Sequence, residues 1–291
     1  MNKANKKNGI KEKVVKNNQN NLDNDINLEE ELNADDITLS DTAEENTFDN
    51  DFIAEDFNVH GEEIDLVSIF APYYSLKTRQ ANKLYKYKDF LIKYNKKINL
   101  TGITDQYEIA VKHFLDSALG AQFIPLNAQL CDVGSGAGFP ALVLKIIRDD
   151  LKVTLIDSIA KKVDFLRHLC KTLNIQTQRF ITRAETLALT RRETFDCVTA
   201  RAVAFLPTLL EYCAPLVKLG GIFLAYKGPE AESEILEAAR AAETLGMELK
   251  SKNDFVLPNN DKRTILVYGK VSVTPRKYPR AQNLPKKKPI I

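Results

Sequence analysis

From Gln129 to Lys270, short apolar segments alternate with helix-type segments, and this rhythm constrains the fold more than any other feature. The strand-type segments are QLCDVG, KVTLIDS, TQRFITR, FDCVTARA and IFLAYKG, and the helix-type segments are GFPALVLKIIR, AKKVDFLRHLCKTLN and LPTLLEYCAPLVKLGG. We expect the last of these helices to stop at Gly220–Gly221. The alternation predicts a mostly parallel, doubly wound α/β sheet. A helix through Glu232–Leu245, followed by KSKNDFVL and RTILVYGK, predicts a terminal antiparallel hairpin.

Composition divides the 291 residues into four parts. Residues 1–63 are dominated by Asn, Asp, Glu and Lys, which predicts a disordered, low-complexity extension. Residues 64–126 carry apolar side chains at three- and four-residue steps, which predicts a small helical lead-in. The alternating α/β domain is expected at 127–270, and a basic C-terminal arm at 271–291.

The formal net charge of +2 hides an uneven distribution of charge along the chain. Acidic residues dominate 23–65, whereas every charged residue from Lys270 onward is basic. A basic, proline-containing arm can follow RNA phosphates, although a solvated basic tail is the alternative. The candidate RNA-binding residues are Arg276, Lys277, Arg280, Lys286 and Lys287.

The cysteines and the polar N-terminal segment indicate a cytoplasmic protein. The four cysteines are scattered without a CxxC pair, which favours buried thiols in a reducing compartment over a disulfide framework or a metal site. The sequence contains no run of about 20 apolar residues, so we expect no membrane-spanning helix. The polar start lacks the apolar core of a signal peptide.

The segment CDVGSGAGFP lies between the first strand and the first helix, where doubly wound sheets bind ligands. Glycines let the backbone turn tightly and approach a ligand closely. Gly134, Gly136 and Gly138 give the spacing GxGxG rather than the GxGxxG of dinucleotide sites, with Phe139 at the position of the third dinucleotide glycine. This shorter loop favours a nucleoside such as S-adenosylmethionine, and Asp157 follows at the distance of a ribose-binding carboxylate. The alternative is a purely structural turn.

Several longer segments resemble the RsmG (GidB) family, which methylates guanine N7 in bacterial small-subunit ribosomal RNA. They are NLTGITD, KHFLDSAL, DVGSGAGFPALVLKI, LIDSIAKKVDFLRHL, FDCVTARAVAFLPTLLEYC, AYKG and VTPRKYPRAQNLPKKKP. The similarity covers about residues 66–291. It implies a Rossmann-like methyltransferase fold preceded by a helical region, S-adenosylmethionine as cofactor, and 16S rRNA or a small-subunit particle as partner. We expect a monomer.

The resemblance also assigns roles to individual residues. It implies that Gly134 and Phe139 contact the cofactor, that Ala184 and Glu185 flank its adenine, and that Arg201 lies at the cofactor and substrate site. Because N7 of guanine carries an exposed lone pair, the reaction needs no general base, and we expect Arg201 to act by positioning.

Three further polar residues have two interpretations each. His113 is expected either in a structural contact with Asp116 or at a substrate-facing site. Lys227 is expected to contact phosphate or to cap the sheet edge. Asp132 is expected to orient the glycine loop through its backbone N–H groups.

Two other functions fit parts of the sequence. A non-catalytic RNA-binding assembly factor could retain the nucleoside pocket without turnover. A Rossmann oxidoreductase would bind NAD, but the loop spacing fits it poorly.

Overall fold

A single mixed sheet organises the part of the chain that the structure, a computed structural model, describes: residues 38–39 and 64–291. Apart from Thr38–Leu39, the expected disordered extension at 1–63 lies outside the described residues. The strands are β1 Thr38–Leu39, β2 Gln129–Val133, β3 Lys152–Asp157, β4 Gln178–Ile181, β5 Phe195–Arg201, β6 Val217–Lys227, β7 Met247–Val256 and β8 Lys262–Lys270.

The sheet has the strand order β1-β4-β3-β2-β5-β6-β8-β7. Strands β2 to β6 pair in parallel, which confirms the predicted doubly wound sheet. Strand β8 pairs antiparallel with both β6 and β7, which confirms the terminal hairpin. The two-residue β1 pairs antiparallel with β4. The order reverses beside β2, so the glycine loop lies at the switch point of the sheet.

Helices cover both faces of the sheet. The α-helices are α1 Leu66–Phe70, α2 Thr78–Asn95, α3 Gln106–Glu108, α4 Asp116–Ala118, α5 Ala141–Ile147, α6 Ala160–Leu173, α7 Ala184–Thr190, α8 Leu206–Cys213, α9 Ala231–Thr244 and α10 Leu284–Lys287. A π-helix, Ile109–Leu115, joins α3 to α4, and a 3-10 helix, Leu119–Phe123, follows α4.

Two apolar clusters form the core. The first joins the lead-in helix α2 to α5 and α6, and the second joins α7, α8 and α9. Strand β2 contributes to both, since Leu130 belongs to the first cluster and Cys131 and Val133 to the second. Successive side chains of a strand point to opposite faces, so burial on both faces explains why all residues of β2 after Gln129, including Asp132, are buried.

The expected helix stop at Gly220–Gly221 was wrong, because α8 ends at Cys213 and both glycines lie inside β6. A proline cannot donate a helical hydrogen bond, and Pro215 lies between the end of α8 and the start of β6 at Val217. A Cβ at Gly221 would come 2.8 Å from the Asp196 carbonyl oxygen, so this glycine permits close pairing of β5 and β6. Helix α7 had no predicted counterpart, since seven residues are too few for a clear helical period.

The four cysteines are buried, as expected from their scattered positions. Between residues 64 and 291, no helix is long and apolar enough to cross a membrane. Within the described residues, no cluster of His, Cys, Asp and Glu could hold a metal ion.

Candidate functional site

The loop after β2 adopts a backbone that requires glycine. Gly134, Gly136 and Gly138 have φ values of 70°, 56° and 98°. A Cβ at Gly134 would approach Cγ2 of Val203 to 2.6 Å, and one at Gly138 would approach the Tyr87 hydroxyl to the same distance. At Gly134 and Gly138 a side chain is therefore excluded by both the backbone conformation and the neighbouring atoms, and at Gly136 by the backbone conformation alone.

Asp157, at the end of β3, accepts one hydrogen bond from this loop and one from the backbone that follows β3. The backbone N–H of Gly136 donates to Oδ2 at 2.9 Å, and that of Ile159 donates to Oδ1 at 2.9 Å. Each carboxylate oxygen can accept a further hydrogen bond, so Asp157 can still bind a ribose hydroxyl. The loop-orienting role expected of Asp132 belongs to Asp157, whereas Asp132 accepts a 2.7 Å hydrogen bond from the Thr199 hydroxyl.

A cleft of about 110 Å³, here called the glycine-loop cleft, opens beside this loop. Gly134, Asp157, Ala184, Glu185 and Val203 are among the residues that line it. Four of these are predicted cofactor-binding residues that the structure thus brings together. Oε1 of Glu185 is buried and has no hydrogen-bond partner within the described part of the chain. A buried acceptor of this kind matches a ligand that supplies an N–H or O–H group.

Phe139 lies in an aromatic stack behind the loop. Its ring centroid is 5.2 Å from that of Tyr87 and 4.5 Å from that of His113, with interplanar angles of 9° and 17°. The Arg201 guanidinium carbon lies 5.0 Å from the Phe139 ring centroid. The structure therefore places Phe139 beneath Arg201, where the ring supports the guanidinium group.

Arg201, the last residue of β5, is held by the π-helical segment. Its Nη1 donates to the Lys112 carbonyl oxygen at 3.1 Å and to Oδ2 of Asp116 at 2.9 Å. Its Nη2 lies 3.3 Å from Nδ1 of His113, and Nε2 of His113 lies 2.7 Å from the Thr101 hydroxyl. Since a guanidinium only donates, we assign Nδ1 as the acceptor and the ring proton to Nε2.

The ionisation states in this cluster follow from burial. Burial, together with the nearby Arg201 charge, lowers the pKa of His113 to about 3, so the imidazole is neutral at pH 7. Burial raises the pKa of Asp116, and the Arg201 and Arg263 charges oppose this shift. The expected His113–Asp116 contact is replaced by an arrangement in which Arg201 bonds to both side chains.

A second cleft of about 430 Å³, here called the basic cleft, lies next to Arg201. Its charged lining residues are Lys112, Asp116, Arg201, Lys227, Glu234 and Arg263. Cations outnumber carboxylates in this lining, so the cleft favours an anionic ligand.

The backbone between Arg201 and Leu206 separates the two clefts. Val203 lines the glycine-loop cleft, whereas Ala202 and Ala204 line the basic cleft. Ala202 has a φ of 57°, an unfavourable value for a residue with a Cβ. Lys227 donates from Nζ to the Ala204 carbonyl oxygen at 3.1 Å and to Oε2 of Glu234 at 2.6 Å.

The C-terminal arm folds back onto α8. The Arg280 guanidinium donates to both carboxylate oxygens of buried Glu211, with an Nη2–Oε2 distance of 2.6 Å. Lys270 ends β8 just before the arm, and because its side chain is buried it adds no charge to the exposed surface of the arm. The other four candidate RNA-binding residues, Arg276, Lys277, Lys286 and Lys287, are exposed.

Sequence reasoning missed three charged residues of the basic cleft. Lys112 precedes His113 in the segment KHFLDSAL, so the resemblance could have drawn attention to it. Arg263 and Glu234 carry no local signal, since their proximity to Asp116 and Lys227 depends on how β8 and α9 pack.

The family model described as rRNA small subunit methyltransferase G matches residues 80–264. Three relatives carry the name ribosomal RNA small subunit methyltransferase G. The relative from Lactobacillus acidophilus is 42% identical over 225 residues, which cover 75% of this chain and 94% of its own. The Bacillus subtilis relative is 44% identical, covering 74% of this chain and 93% of its own, and the Desulfitobacterium hafniense relative is 45% identical, covering 73% and 90%. The chain belongs to the rRNA small subunit methyltransferase G family.

Proposed function

We propose that the protein transfers a methyl group from S-adenosylmethionine to N7 of a guanine in bacterial 16S ribosomal RNA. The observation that carries the proposal is the pair of clefts, one suited to a nucleoside and one to an anion, on opposite sides of residues 202–205. Family membership supplies the reaction class. The alternative of a non-catalytic assembly factor has no support, since the relatives described above are named as methyltransferases.

The glycine-loop cleft would hold the cofactor through this chain's own groups. The loop backbone at Gly134 and Gly136 admits close approach, and Asp157 keeps lone pairs for ribose hydroxyls. Glu185 offers a buried, unpartnered acceptor beside Ala184 for an amino or hydroxyl group. When bound, S-adenosylmethionine supplies a methyl group activated by a positively charged sulfur.

The basic cleft is the proposed binding site of the target guanine nucleotide, whose phosphate carries the negative charge that the cleft favours. The N7 lone pair needs no deprotonation, and this agrees with a neutral His113 whose pKa is held near 3. The reaction requires that N7 and the methyl group of the cofactor are aligned, and holding two reacting groups in the correct geometry can accelerate a reaction greatly. Arg201, held by Asp116 and the Lys112 carbonyl oxygen, is the proposed catalytic residue and acts by positioning.

The exposed cations of the arm are the proposed RNA-backbone contacts. Arg276, Lys277, Lys286 and Lys287 are free to meet phosphates, and phosphate contacts of this kind make RNA affinity depend on salt. Arg280 is proposed to hold the arm in place through Glu211. We further propose that the protein acts as a monomer in the cytoplasm on 16S rRNA or a small-subunit particle.

The proposal is tested by methyl transfer from isotopically labelled S-adenosylmethionine to 16S rRNA and small-subunit particles from cells that lack this gene. The expected result is label in a single guanine, recovered as 7-methylguanine after digestion. RNA from cells that contain the gene serves as the control and should accept little label. Absence of transfer to both substrates, or label on another atom, would contradict the proposal.

A further inference from the structure

A part-buried ion pair beside the basic cleft holds the segment that separates the two clefts. Nζ of Lys227 lies 2.6 Å from Oε2 of Glu234, and the two side chains are 8% and 17% exposed. The same Glu234 oxygen accepts from the backbone N–H of Leu206 at 2.7 Å. The same Lys227 nitrogen donates to the Ala204 carbonyl oxygen at 3.1 Å. Both members of the pair thus bond to the separating backbone.

This backbone needs such support. It leaves the sheet after Arg201, whose pairing with Tyr226 is the last between β5 and β6. The next residue, Ala202, has the strained φ of 57°, and Val203 remains 37% exposed. A non-glycine residue keeps such a conformation only where its surroundings impose it. Arg201 anchors one end of the segment, and the ion pair anchors the other.

We propose that Lys227 and Glu234 are positioning residues for methyl transfer, which hold residues 202–206 so that the two clefts keep a fixed relation. This inference rests on the proposed function. Because Val203 lines one cleft and Ala204 the other, a shift of the segment changes the relation of donor to acceptor. A misplacement of about 1 Å can cost about a hundredfold in rate.

The direction of the two hydrogen bonds, from donor to acceptor, distinguishes this role from that of a simple ion pair. Position 234 must accept from an N–H group, and position 227 must donate to a carbonyl oxygen. An exchange of the two charges, K227E/E234K, restores an ion pair but offers Leu206 a donor and Ala204 an acceptor. The exchanged pair therefore cannot hold the segment.

The experiment compares Glu234→Ala, Glu234→Gln and K227E/E234K in single-turnover methyl transfer at saturating RNA and cofactor. Glu232→Ala is the matched control, because Glu232 lies on the same helix with a 69% exposed side chain that pairs with Lys252. Unfolding temperatures are measured for every variant, and the assays are run where all are folded.

We expect Glu234→Ala to slow transfer by about 10- to 100-fold relative to Glu232→Ala. Glu234→Gln should remain within about fivefold of the wild-type rate, since its amide oxygen still accepts from Leu206. The charge-exchanged variant should be as slow as Glu234→Ala. Affinity for S-adenosylhomocysteine, measured by calorimetry, should change by less than about threefold, because the other groups lining the glycine-loop cleft remain in place.

Two kinetic results would overturn the proposal: recovery of the rate in K227E/E234K, or a Glu234→Ala rate equal to that of Glu232→Ala. A Lys227→Met variant that is slow only because RNA binds more weakly would instead assign Lys227 to a phosphate contact.

Hydrogen exchange separates this inference from the proposed function. Amides of residues 202–206 should exchange faster in Glu234→Ala than in Glu232→Ala. If wild-type protein transfers no methyl group, the proposed function fails, and the exchange comparison alone then decides whether the pair holds the segment. Unchanged exchange would reject it.

Discussion

At the scale of single residues, burial controls the charge states around Arg201. Asp116 is buried and keeps its place because Arg201 and Arg263 neutralise it from two sides, at 2.9 and 3.6 Å. Neutral His113 accepts from Arg201 without adding a second positive charge. The guanidinium is consequently held in one orientation over Phe139, as a positioning role requires.

Replacing Arg201 with alanine should lower methyl-transfer turnover by about a hundredfold or more, since alignment is lost. It should also reduce the unfolding temperature, because Asp116 loses its nearest charge partner. The double variant R201A/D116N removes the unpaired carboxylate, so we expect stability to recover while activity stays low. Lys218→Met, at an exposed ion pair with Asp196, is the control. Near-normal transfer by Arg201→Ala would reject the assigned role.

Asp132 should make stability depend on pH. Burial raises its pKa from its ordinary value to about 7, so the folded protein binds the proton more tightly than the unfolded chain. The stabilisation is therefore complete below about pH 4 and is lost as the pH rises towards 7. Thermal unfolding of wild type and Asp132→Asn from pH 4 to 8 measures this effect. The variant should gain in stability relative to wild type between about pH 4 and pH 7 and level off above about pH 7. A difference that stays constant with pH would contradict the raised pKa of Asp132.

At the scale of elements, the π-helix Ile109–Leu115 brings the Lys112 carbonyl oxygen and His113 to Arg201. Asp116, which also bonds to Arg201, is the first residue of the helix α4 that follows directly. A π-helical turn disturbs the regular hydrogen-bond ladder, and such turns are frequent at functional sites. Tyr226 of β6 secures the adjoining helix α4 by donating from its hydroxyl to the Ser117 carbonyl oxygen at 2.9 Å. The helical lead-in is thus part of the site rather than an appended region.

Gly120 makes this junction possible. A Cβ at this position would lie 1.9 Å from the Tyr226 hydroxyl oxygen and 2.8 Å from its Cζ. Gly120→Ala should therefore destabilise the protein by about 1–3 kcal/mol through overpacking. Gly102→Ala is the control, since a Cβ there meets no atom within 4 Å.

Urea unfolding of these two variants and of G120A/Y226F tests the contact at the junction. The double variant should recover only part of the loss, because the ring carbon still obstructs the Cβ. Equal stability of Gly120→Ala and Gly102→Ala would show that the junction adapts.

At the scale of the whole molecule, positive charge collects at the basic cleft and on the exposed side of the arm. The Arg280–Glu211 contacts and buried Tyr278 hold the arm on the protein. Removal of the arm would therefore confuse lost charge with lost packing. Neutralising only its exposed cations isolates the electrostatic contribution.

The variant R276Q/K277Q/K286Q/K287Q should bind RNA more weakly and with a shallower salt dependence. The logarithm of the RNA-binding constant falls as the logarithm of the salt concentration rises, and each lost phosphate contact makes this negative slope shallower by about 0.7–0.9. The matched control K86Q/K152Q/K171Q/K250Q changes the same number of exposed lysine or arginine charges elsewhere on the surface. Cofactor affinity should stay unchanged in both variants. If the variant binds RNA with the same affinity and the same salt dependence as the control, the arm does not contact the RNA backbone.

Local patterns predicted the parallel sheet, the terminal hairpin and the glycine loop with its aspartate. These predictions succeeded because the strand period, the helix period and the loop glycines are patterns among residues that are close together in sequence. Sequence patterns did not predict the end of α8 or the helix α7, because the structure of such short segments depends on the neighbours that they pack against.

The sequence by itself determined the sheet class and the loop at Gly134–Gly138, because backbone preferences there act over a few residues. Only the tertiary structure decided which side chains hold Arg201 and the segment after it. Arg201 and Asp116 are 85 residues apart in sequence, and Leu206 and Glu234 are 28 apart. Such pairings depend on the packing of whole helices against the sheet. After the helices have packed, each buried charge needs its partner, because an unpaired buried charge is strongly destabilising.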